Sequence, residues 1–260
     1  MQQPGIKGIF DRSDAATRHR EGLTERVETL RGQEPPQEIE VIEDGVRYGV
    51  DVRKGHKTGF YIDQRESRLL AQRLAAEFKR RHGRGMRALN CFCYTGGFSL
   101  ALLAGGAAEV VSVDSSEEAL AMAARNAARN GFNDERAQWV QADVFEYLRR
   151  AREAGETFDL VILDPPKFAS SHRHIDRAAR AYKDINLNGL RLVAPGGDLL
   201  TFSCSGAMDV DLFQKVIAGA VIDSKREAWM VARLGAGCDH PLMMTCPEGE
   251  YLKGLQLTLR

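Results

Sequence analysis

The chain contains the segment Ala88-Leu-Asn-Cys-Phe-Cys-Tyr-Thr-Gly-Gly-Phe-Ser-Leu100, and after a stretch of small residues it continues with Glu109-Val-Val-Ser-Val-Asp114. An apolar run enters a turn with paired glycines, Gly96 and Gly97, and a helical pattern follows. Because glycine has no Cβ, the backbone can approach a ligand closely there. The second run ends on Asp114, whose carboxylate can accept hydrogen bonds from both ribose hydroxyls. This pattern predicts a nucleoside site at the carboxyl ends of the strands in a doubly wound α/β sheet.

The alternation of strands and helices continues toward the C-terminus. Apolar runs predict strands over 137–143, 158–163 and 198–204 and near Trp229 and Leu255, and helical patterns cover 116–130, 176–192 and 210–222. Regular alternation is typical of a mostly parallel sheet with right-handed crossovers. We therefore expect residues 63–260 to form a Rossmann-like α/β domain with a doubly wound, seven-stranded sheet.

The sequence of residues 1–62 predicts a small N-terminal subdomain that contains a helix and a β-hairpin. The segment 5–33 is charged and low in apolar residues, and Ser13 and Asp14 are candidate caps of a short helix. Two alternating runs joined by Asp44-Gly45 predict the hairpin. A second helix is expected to begin with Asp63 as its N-cap and Glu66 at the capping-box position.

The composition is that of an ordinary globular protein, with 43% hydrophobic and 28% charged residues. No apolar run has membrane-spanning length, and the N-terminus lacks a signal-peptide core, so we expect no membrane partner. The five cysteines have no secreted-framework spacing, which favours a cytoplasmic location. Neither Cys91 and Cys93 nor His172 and His174 have companions at zinc-ligand spacing, so no metal site is predicted.

The turn from Cys93 to Phe98 favours a ligand without phosphates, because it lacks the third glycine of a dinucleotide site and the Lys-Ser/Thr pair of a triphosphate site. S-adenosylmethionine fits, and Tyr94-Thr-Gly-Gly-Phe98 resembles motif I of class I methyltransferases. In this interpretation Asp114 binds the ribose, and Asp143 with the Val144 amide lies near the adenine amino group. Each acid alone has an alternative role as a helix N-cap.

Asp164-Pro-Pro-Lys167 follows a buried apolar run, and its two prolines fix an extended turn that lacks two backbone donors. Such a turn presents carbonyls and the Asp164 carboxylate to a planar base or amide. It resembles motif IV of methyltransferases that act on nucleobase or amide nitrogens, and of some that act on base carbons. The alternative is a turn that only ends the strand.

Cys204 ends another predicted strand, in Phe202-Ser-Cys-Ser-Gly206, and should emerge on the same side as Asp164. Carbon-5 of cytosine is a poor nucleophile, but a thiolate that adds to carbon-6 makes carbon-5 enamine-like. Asp164 would stabilise charge at the N3 and amino edge. The alternative is a buried structural cysteine, which is the interpretation that we favour for Cys91 and Cys93.

Several segments together resemble the large-subunit (23S) ribosomal RNA cytosine-C5 methyltransferase I family: 57–65, 90–98, 164–169, 202–206 and Tyr251-Leu-Lys-Gly-Leu255. The resemblance, from about Ile9 onward, implies an S-adenosylmethionine-dependent enzyme with Cys204 as nucleophile and Asp164 beside the base. It implies that the segment 57–65 packs over the cofactor. The expected cofactor-binding residues are Phe60, Gln64, Arg65, Asn90, Tyr94, Thr95, Gly96, Gly97, Phe98, Asp114, Ser115, Asp143, Val144, Asp164 and Pro165.

The sequence departs from the family pattern in two respects. Family members usually begin with a PUA RNA-binding domain, which the stretch before Ile9 is too short to hold, so we expect a chain without one. Many RNA cytosine-C5 enzymes also carry a second cysteine in motif IV that helps release product. Here Lys167 follows Pro166, so the base that removes the carbon-5 proton is unassigned.

The net charge of zero means that an RNA-binding face must come from local clusters. Two clusters are candidates for phosphate contacts: Arg47, Arg53, Lys54, His56 and Lys57, and His172, Arg173, His174, Arg177 and Arg180. The basic run 79–82 is interpreted instead as solvated charge at a helix C-terminus. The sequence leaves open an RNA guanine or adenine N-methyltransferase, a non-catalytic RNA-binding assembly factor on the same scaffold, and a homodimer.

Overall fold

The computed structural model describes residues 5–14, 16–55, 59–132, 135–169 and 171–260, and it divides into two compact units. The first unit contains the residues up to 43 and 47–61, and the second contains 44–46 and 62–260. The domain boundary expected after residue 62 stays a prediction. In the described ranges, no helix is both long and apolar enough to cross a bilayer.

The first unit contains a strand pair that the sequence did not indicate. Strands β1 (Gly8–Ser13) and β2 (Arg26–Gly32) pair antiparallel, and a 3-10 helix, Ala16–Glu21, lies between them. The short helix is therefore present, but the prediction missed both strands around it. Most side chains of β2 are exposed on both faces, so the strand leaves no apolar alternation in the sequence.

The predicted hairpin is confirmed as β3 (Ile39–Glu43) and β4 (Val46–Val50). The two turn residues both have positive φ, 48° at Asp44 and 83° at Gly45. An Asp-Gly pair tolerates this conformation, which matches the twist of the flanking strands. The turn chemistry therefore fixes the register of this hairpin.

The second unit contains a seven-stranded sheet, as predicted, and its strands lie in the order β10-β11-β9-β8-β5-β6-β7. Its strands are β5 (Arg87–Cys91), β6 (Glu109–Asp114), β7 (Ala137–Gln141), β8 (Phe158–Leu163), β9 (Val193–Ser203), β10 (Ala228–Gly235) and β11 (Lys253–Leu259). The central pairs are parallel, and β11 runs antiparallel to both of its neighbours. The sheet is therefore mostly parallel and doubly wound.

The α-helices of this unit are α1 (Arg65–His82), α2 (Gly97–Ala104), α3 (Glu117–Arg129), α4 (Val144–Glu153), α5 (Ile175–Leu192) and α6 (Val210–Ser224). The side chains of Ser116, Asp143 and Asp209 cap the amino ends of α3, α4 and α6. These caps satisfy backbone donors that have no partner within the helix.

The predicted N-cap of α1 is wrong. Gln64 occupies the cap position and makes no side-chain cap hydrogen bond, whereas Asp63 lies in a preceding 3-10 turn, Ile62–Gln64. The Asp63 carboxylate instead accepts a 2.7 Å hydrogen bond from the Tyr251 hydroxyl. A partner that is distant in the sequence has replaced the local cap, which local spacing cannot indicate.

The core lies on both faces of the sheet. Leu89, Val111 and Val161 belong to the cluster that α4, α5 and α6 cover, and their strand neighbours Ala88 and Val110 belong to the cluster that α1 and α2 cover. Successive side chains of a strand point to opposite faces. Both faces are buried, which explains why β8 is a continuous apolar run from Leu160 to Leu163.

Gly105 allows α1 and α2 to approach closely. A Cβ at this position would lie 2.2 Å from the backbone oxygen of Gln72 and 2.8 Å from the Ala75 Cβ, so a backbone would have to move. The φ of Gly105 is −72°, which any residue adopts. The glycine is therefore required for space rather than for conformation.

We expect Gly105→Ala to destabilise the protein by about 1–3 kcal/mol, because it overpacks a rigid contact. Gly219→Ala in α6 is the matched control, since its Cβ would meet only the flexible end of Lys183 at 3.5 Å. That change should stabilise by about 0.5–1 kcal/mol, because alanine favours a helix. Urea unfolding measures both, and equal midpoints for the two variants would contradict the steric explanation.

Candidate active site

Most of the predicted site residues lie at or just after the carboxyl ends of five adjacent parallel strands. Cys91 at the end of β5 pairs with Val113 on one side and Leu163 on the other, and Leu163 pairs with Thr201. The register therefore places the carboxyl ends of β7, β6, β5, β8 and β9 next to one another along one edge of the sheet. The strand order reverses between β5 and β8, where doubly wound sheets bind ligands.

The glycine turn after β5 has an unusual backbone. Phe92 and Tyr94 adopt φ values of 59° and 49°, and Gly96 has 84°. Left-handed conformations of large residues cost free energy and cluster at functional sites. A Cβ on Gly96 would lie 3.0 Å from the Trp139 ring and 3.1 Å from Ala123, so the turn has no room for a side chain there.

The residues after Gly96 attach the turn to the body of the domain. The Thr95 carbonyl accepts a 3.5 Å hydrogen bond from Asn126. Gly97 begins α2, and a Cβ there would lie 3.1 Å from the Arg68 Cδ. Phe98 is buried, with its ring centroid 5.7 Å from that of Phe202. The turn is thus held by contacts from several elements.

Asp114 at the end of β6 organises this turn. Its Oδ2 accepts a 2.8 Å hydrogen bond from the Tyr94 amide, and its Oδ1 accepts a 2.9 Å bond from the Ser116 amide. A carboxylate has about four acceptor positions, so hydroxyl groups of a bound ribose can still be accommodated. Ser115, between Asp114 and Ser116 in the sequence, is exposed.

Asp143 is exposed and caps α4, and its Oδ1 accepts a 3.0 Å hydrogen bond from the Glu146 amide. Val144, the first residue of α4, is buried. The alternative role of Asp143 as a helix cap is therefore present. It involves one carboxylate oxygen and is compatible with a ligand contact by the other.

Gln64 and Asn90, both predicted cofactor contacts, have buried side-chain amide atoms without a hydrogen-bond partner among the described residues. Gln64 is 3% exposed, and among the described residues neither its Oε1 nor its Nε2 has a hydrogen-bond partner. Asn90 donates from Nδ2 to Ser99 at 2.8 Å, but its Oδ1 has no partner in the same ranges. Such groups cost about 1–3 kcal/mol each. They are what a polar ligand would satisfy, so these residues fit a bound nucleoside cofactor.

Phe60 and Arg65 were also expected at the cofactor. Phe60 is buried in the first unit, with its ring centroid 5.0 Å from that of Tyr48. Arg65 begins α1, and its Nη1 donates to Asp239 at 3.2 Å. Their roles at the cofactor stay predictions, and Lys57 at the start of this segment lies outside the described residues.

The proline turn after β8 has a buried part and an exposed part. Asp164 is partly buried and Pro165 is buried, whereas Pro166 and Lys167 are exposed. The Phe168 ring packs on Tyr182, with centroids 4.8 Å apart. The turn therefore has a rigid base and an accessible rim.

Cys204 follows β9, is partly buried, and lies beside this turn. Its Sγ is 3.9 Å from the Pro165 carbonyl oxygen, within range of a weak thiol hydrogen bond. Cys91 and Cys93 are buried, and burial raises the pKa of both thiols. Their environment favours the structural interpretation, whereas Cys204 has the access that a nucleophile needs.

Two residues at this site were missed by the sequence analysis. The buried Tyr182 hydroxyl lies 2.9 Å from the Ser203 Oγ and 3.1 Å from the Ser205 Oγ, on either side of Cys204. Lys253 is also buried and contacts the loop after Cys204. A lysine within the apolar strand β11 was the sequence signal for this residue. Its contact with the loop after Cys204 depends on the pairing of β11 with β9 and could not be predicted from the sequence.

The first basic cluster is partly neutralised. Arg47 lies 3.8 Å from Glu40, and Arg53 lies 2.6 Å from Glu34. Lys54 is exposed. His56 and Lys57 lie outside the described residues.

The basic cluster near the start of α5 and the basic run at the end of α1 differ in their ion pairing. Arg173, Arg177 and Arg180 are exposed at the start of α5 and the turn before it. In the run at the end of α1, Arg80 and Arg81 hydrogen-bond Glu77 and lower its pKa to about 2. The cluster on α5 is thus the better candidate for phosphate contacts.

Comparison with known families identifies the class. A model of S-adenosylmethionine-dependent methyltransferases matches residues 12–241. This chain belongs to the S-adenosylmethionine-dependent methyltransferase family, as the sheet order and the glycine turn indicate.

The sequence is also similar to individual curated proteins, which share one name. The chain is 50% identical over 246 residues to a ribosomal RNA large subunit methyltransferase I of Photobacterium profundum, with 95% of this chain and 60% of the relative covered. It is 48% identical to the protein of the same name from Aeromonas salmonicida, with 97% and 62% covered. The chain therefore spans about 60% of the length of these curated relatives.

Solved structures agree on the fold. A methyltransferase from Streptococcus mutans superimposes with a TM-score of 0.77 at 27% identity, with 89% of this chain and 58% of that chain covered. Another crystal structure with the same values is of a methyltransferase complexed with SAH. These similarities support the cofactor class that the buried amides and the glycine turn accommodate.

We expect Gln64→Leu to have opposite effects with and without ligand. It should stabilise the ligand-free protein by about 1 kcal/mol, because a buried amide without a partner is removed. It should weaken S-adenosylhomocysteine binding roughly tenfold, the effect of one lost hydrogen bond. Calorimetry and thermal unfolding measure the two effects.

The matched control is Gln138→Leu, because the exposed Gln138 amide already donates to Glu109 at 3.0 Å. This change should leave ligand affinity unaltered. If Gln64→Leu also binds with unaltered affinity, the unpaired amide is not a ligand contact.

Proposed function

We propose that this chain transfers a methyl group from S-adenosylmethionine to carbon-5 of a cytosine in large-subunit (23S) ribosomal RNA, through a covalent adduct on Cys204. One observation carries the proposal. The thiol of the partly buried Cys204 lies 3.9 Å from the Pro165 carbonyl of the Asp-Pro-Pro turn, so the proposed nucleophile and the proposed base-binding turn lie side by side. The names of the relatives support an RNA substrate.

The proposed cofactor contacts come from the turn and the strand ends around it. Asp114 binds the ribose hydroxyls, and Asp143 and the Val144 amide contact the adenine. The unpaired amide atoms of Gln64 and the Oδ1 of Asn90 bind the polar part of the ligand. When bound, the cofactor supplies an electrophilic methyl group. The other proposed contacts are Phe60, Arg65, Tyr94, Thr95, Gly96, Gly97, Phe98, Ser115, Asp164 and Pro165.

The Cys204 thiolate adds to carbon-6 of the cytosine, and the displaced electron pair moves toward the N3 edge. Asp164, in its protonated form, donates a hydrogen bond to N3 and stabilises the charge that develops there. Carbon-5 then becomes nucleophilic and takes the methyl group. Loss of the carbon-5 proton returns an electron pair to the ring, and the carbon–sulfur bond breaks to release the thiolate.

The RNA is held mainly through phosphates. Arg173, Arg177 and Arg180 are exposed close to the proline turn in the sequence, and such contacts position a strand rather than read its bases. A target inside a helix has to be flipped out or already unpaired. An enzyme with this substrate would work in the cytoplasm.

The most direct test uses labelled cofactor with ribosomal RNA or subunits, followed by mass spectrometry of the product. We expect 5-methylcytosine. A methyl group on guanine or adenine nitrogen would support an N-methyltransferase, and cofactor binding without any product would support a non-catalytic assembly factor.

We expect Cys204→Ala to abolish methylation while cofactor binding is retained, because only the nucleophile is lost. With RNA that contains 5-fluorocytidine, the unaltered chain should form a stable covalent adduct, since fluorine cannot leave as a proton does. Denaturing gel electrophoresis detects the adduct. Cys238→Ala, at an exposed cysteine, is the control and should retain the adduct. Full activity of Cys204→Ala would exclude the covalent route.

We expect Arg177→Gln to weaken RNA binding equally across sequences and to reduce the slope of log affinity against log salt by about 1. Titrations at several salt concentrations measure this slope. Arg80→Gln is the control, because Arg80 is paired with Glu77. Equal slopes for the two variants would remove the α5 cluster from the RNA-binding surface.

A further inference from the structure

Lys253 is a buried cation next to the proposed nucleophile. It is the first residue of β11, which pairs antiparallel with β9, and it lies opposite Ser203, one residue before Cys204. Its exposed fraction is only 6%. Lysine is almost never buried unless its charge has partners, so this position needs an explanation.

The ammonium group contacts the loop that carries the cysteine. Its Nζ donates to the Ser205 carbonyl at 2.8 Å and to the Met208 carbonyl at 2.5 Å. These two carbonyls lie one and four residues after Cys204. Lys253 therefore ties both ends of the loop 205–208 to the sheet.

The opposite side of the loop is held by hydroxyl groups. Ser203 donates to the Tyr182 hydroxyl, which lies 3.1 Å from Ser205. The Ser205 hydroxyl also accepts a 3.3 Å hydrogen bond from the Ala169 amide in the segment after the proline turn. Cys204 is thus the partly exposed residue between two anchored neighbours.

Hydrogen bonding alone does not explain a charged group here. A neutral donor would satisfy the same carbonyls without the desolvation cost of an ammonium. Burial lowers the pKa of Lys253, whereas Cys204 and the carboxylates of Asp209 and Glu250 raise it. Lys167, on the proline turn, acts in the same direction as burial. The charge therefore interacts favourably with a thiolate at Cys204.

We propose that Lys253 is a positioning residue for Cys204: its ammonium fixes the loop after the cysteine, and its positive charge favours the thiolate form. This inference rests on the proposed covalent function. Cationic neighbours are a general means of increasing the thiolate fraction of a cysteine. The β11 strand thereby contributes to chemistry that takes place at the end of β9.

The test measures alkylation of the full chain by iodoacetamide as a function of pH, with the Cys204 peptide quantified by mass spectrometry. For Lys253→Gln, which keeps a donor without the charge, the midpoint of the Cys204 profile should move up by about one pH unit. The rate near neutral pH should fall roughly tenfold. Cys238 and Cys246, both exposed, are internal references whose profiles should not move.

Further variants separate the effect of the positive charge of Lys253 from that of its hydrogen bonds to the loop 205–208. Lys253→Arg keeps the charge and should retain a profile close to that of the unaltered chain. Lys215→Gln, at an exposed lysine paired with Asp211, is the control for loss of one positive charge elsewhere. An unchanged Cys204 profile in folded Lys253→Gln overturns the proposal.

A reciprocal measurement does not need a change at Lys253. Because linkage is mutual, Cys204→Ser should move the titration of the Lys253 ammonium, followed by nitrogen NMR, to lower pH. An unchanged titration also overturns the proposal, even where the lysine variants fail to fold.

The test of the role of Lys253 can be distinguished from the test of the proposed covalent function. If the fluorocytidine adduct forms but the Cys204 profile is insensitive to Lys253, only the role of Lys253 fails. If the adduct does not form with the unaltered chain, the covalent function fails whatever the alkylation profiles are. In single-turnover methylation, higher pH should partly restore the rate of Lys253→Gln, and RNA affinity should be unaltered.

Discussion

The parallel pairing of β5 with β6 and β8 is the constraint on which the site depends. Cys91 pairs with both Val113 and Leu163, so the glycine turn, Asp114 and Asp164 leave the sheet at the same level. A shift of one residue in this register would turn every side chain of a strand to the opposite face. Burial of both faces makes such a shift costly, and the core thereby fixes the geometry of the site.

Several unfavourable local features of the second unit lie at or next to predicted site residues. Phe92 and Tyr94 have positive φ values, and the Asp114 carboxylate hydrogen-bonds the turn that contains Tyr94. The buried amides of Gln64 and Asn90 have unpaired atoms among the described residues. Natural proteins retain such costs mainly where a ligand or a reaction uses them. The rest of the sheet supplies the stability that offsets them.

Local patterns predicted elements well where the local signal and the tertiary environment agreed. The Asp44-Gly45 hairpin and the apolar runs of β5, β6 and β8 are present because turn chemistry and burial act in the same direction. The prediction failed where they differed. Strand β2 is exposed on both faces and has no alternation, and Asp63 bonds Tyr251 instead of capping α1.

The sequence by itself determined the order of strands and helices in the second unit, the glycine turn and the acids at the strand ends, because these depend on nearest neighbours and on hydrophobic period. Only the tertiary structure decided which distant groups meet. It brought Cys204 to 3.9 Å from the Pro165 carbonyl and buried Lys253 against the loop after Cys204. Those contacts depend on the pairing of β9 with β8 and β11, which is a property of the folded sheet and leaves no periodic signal in the chain.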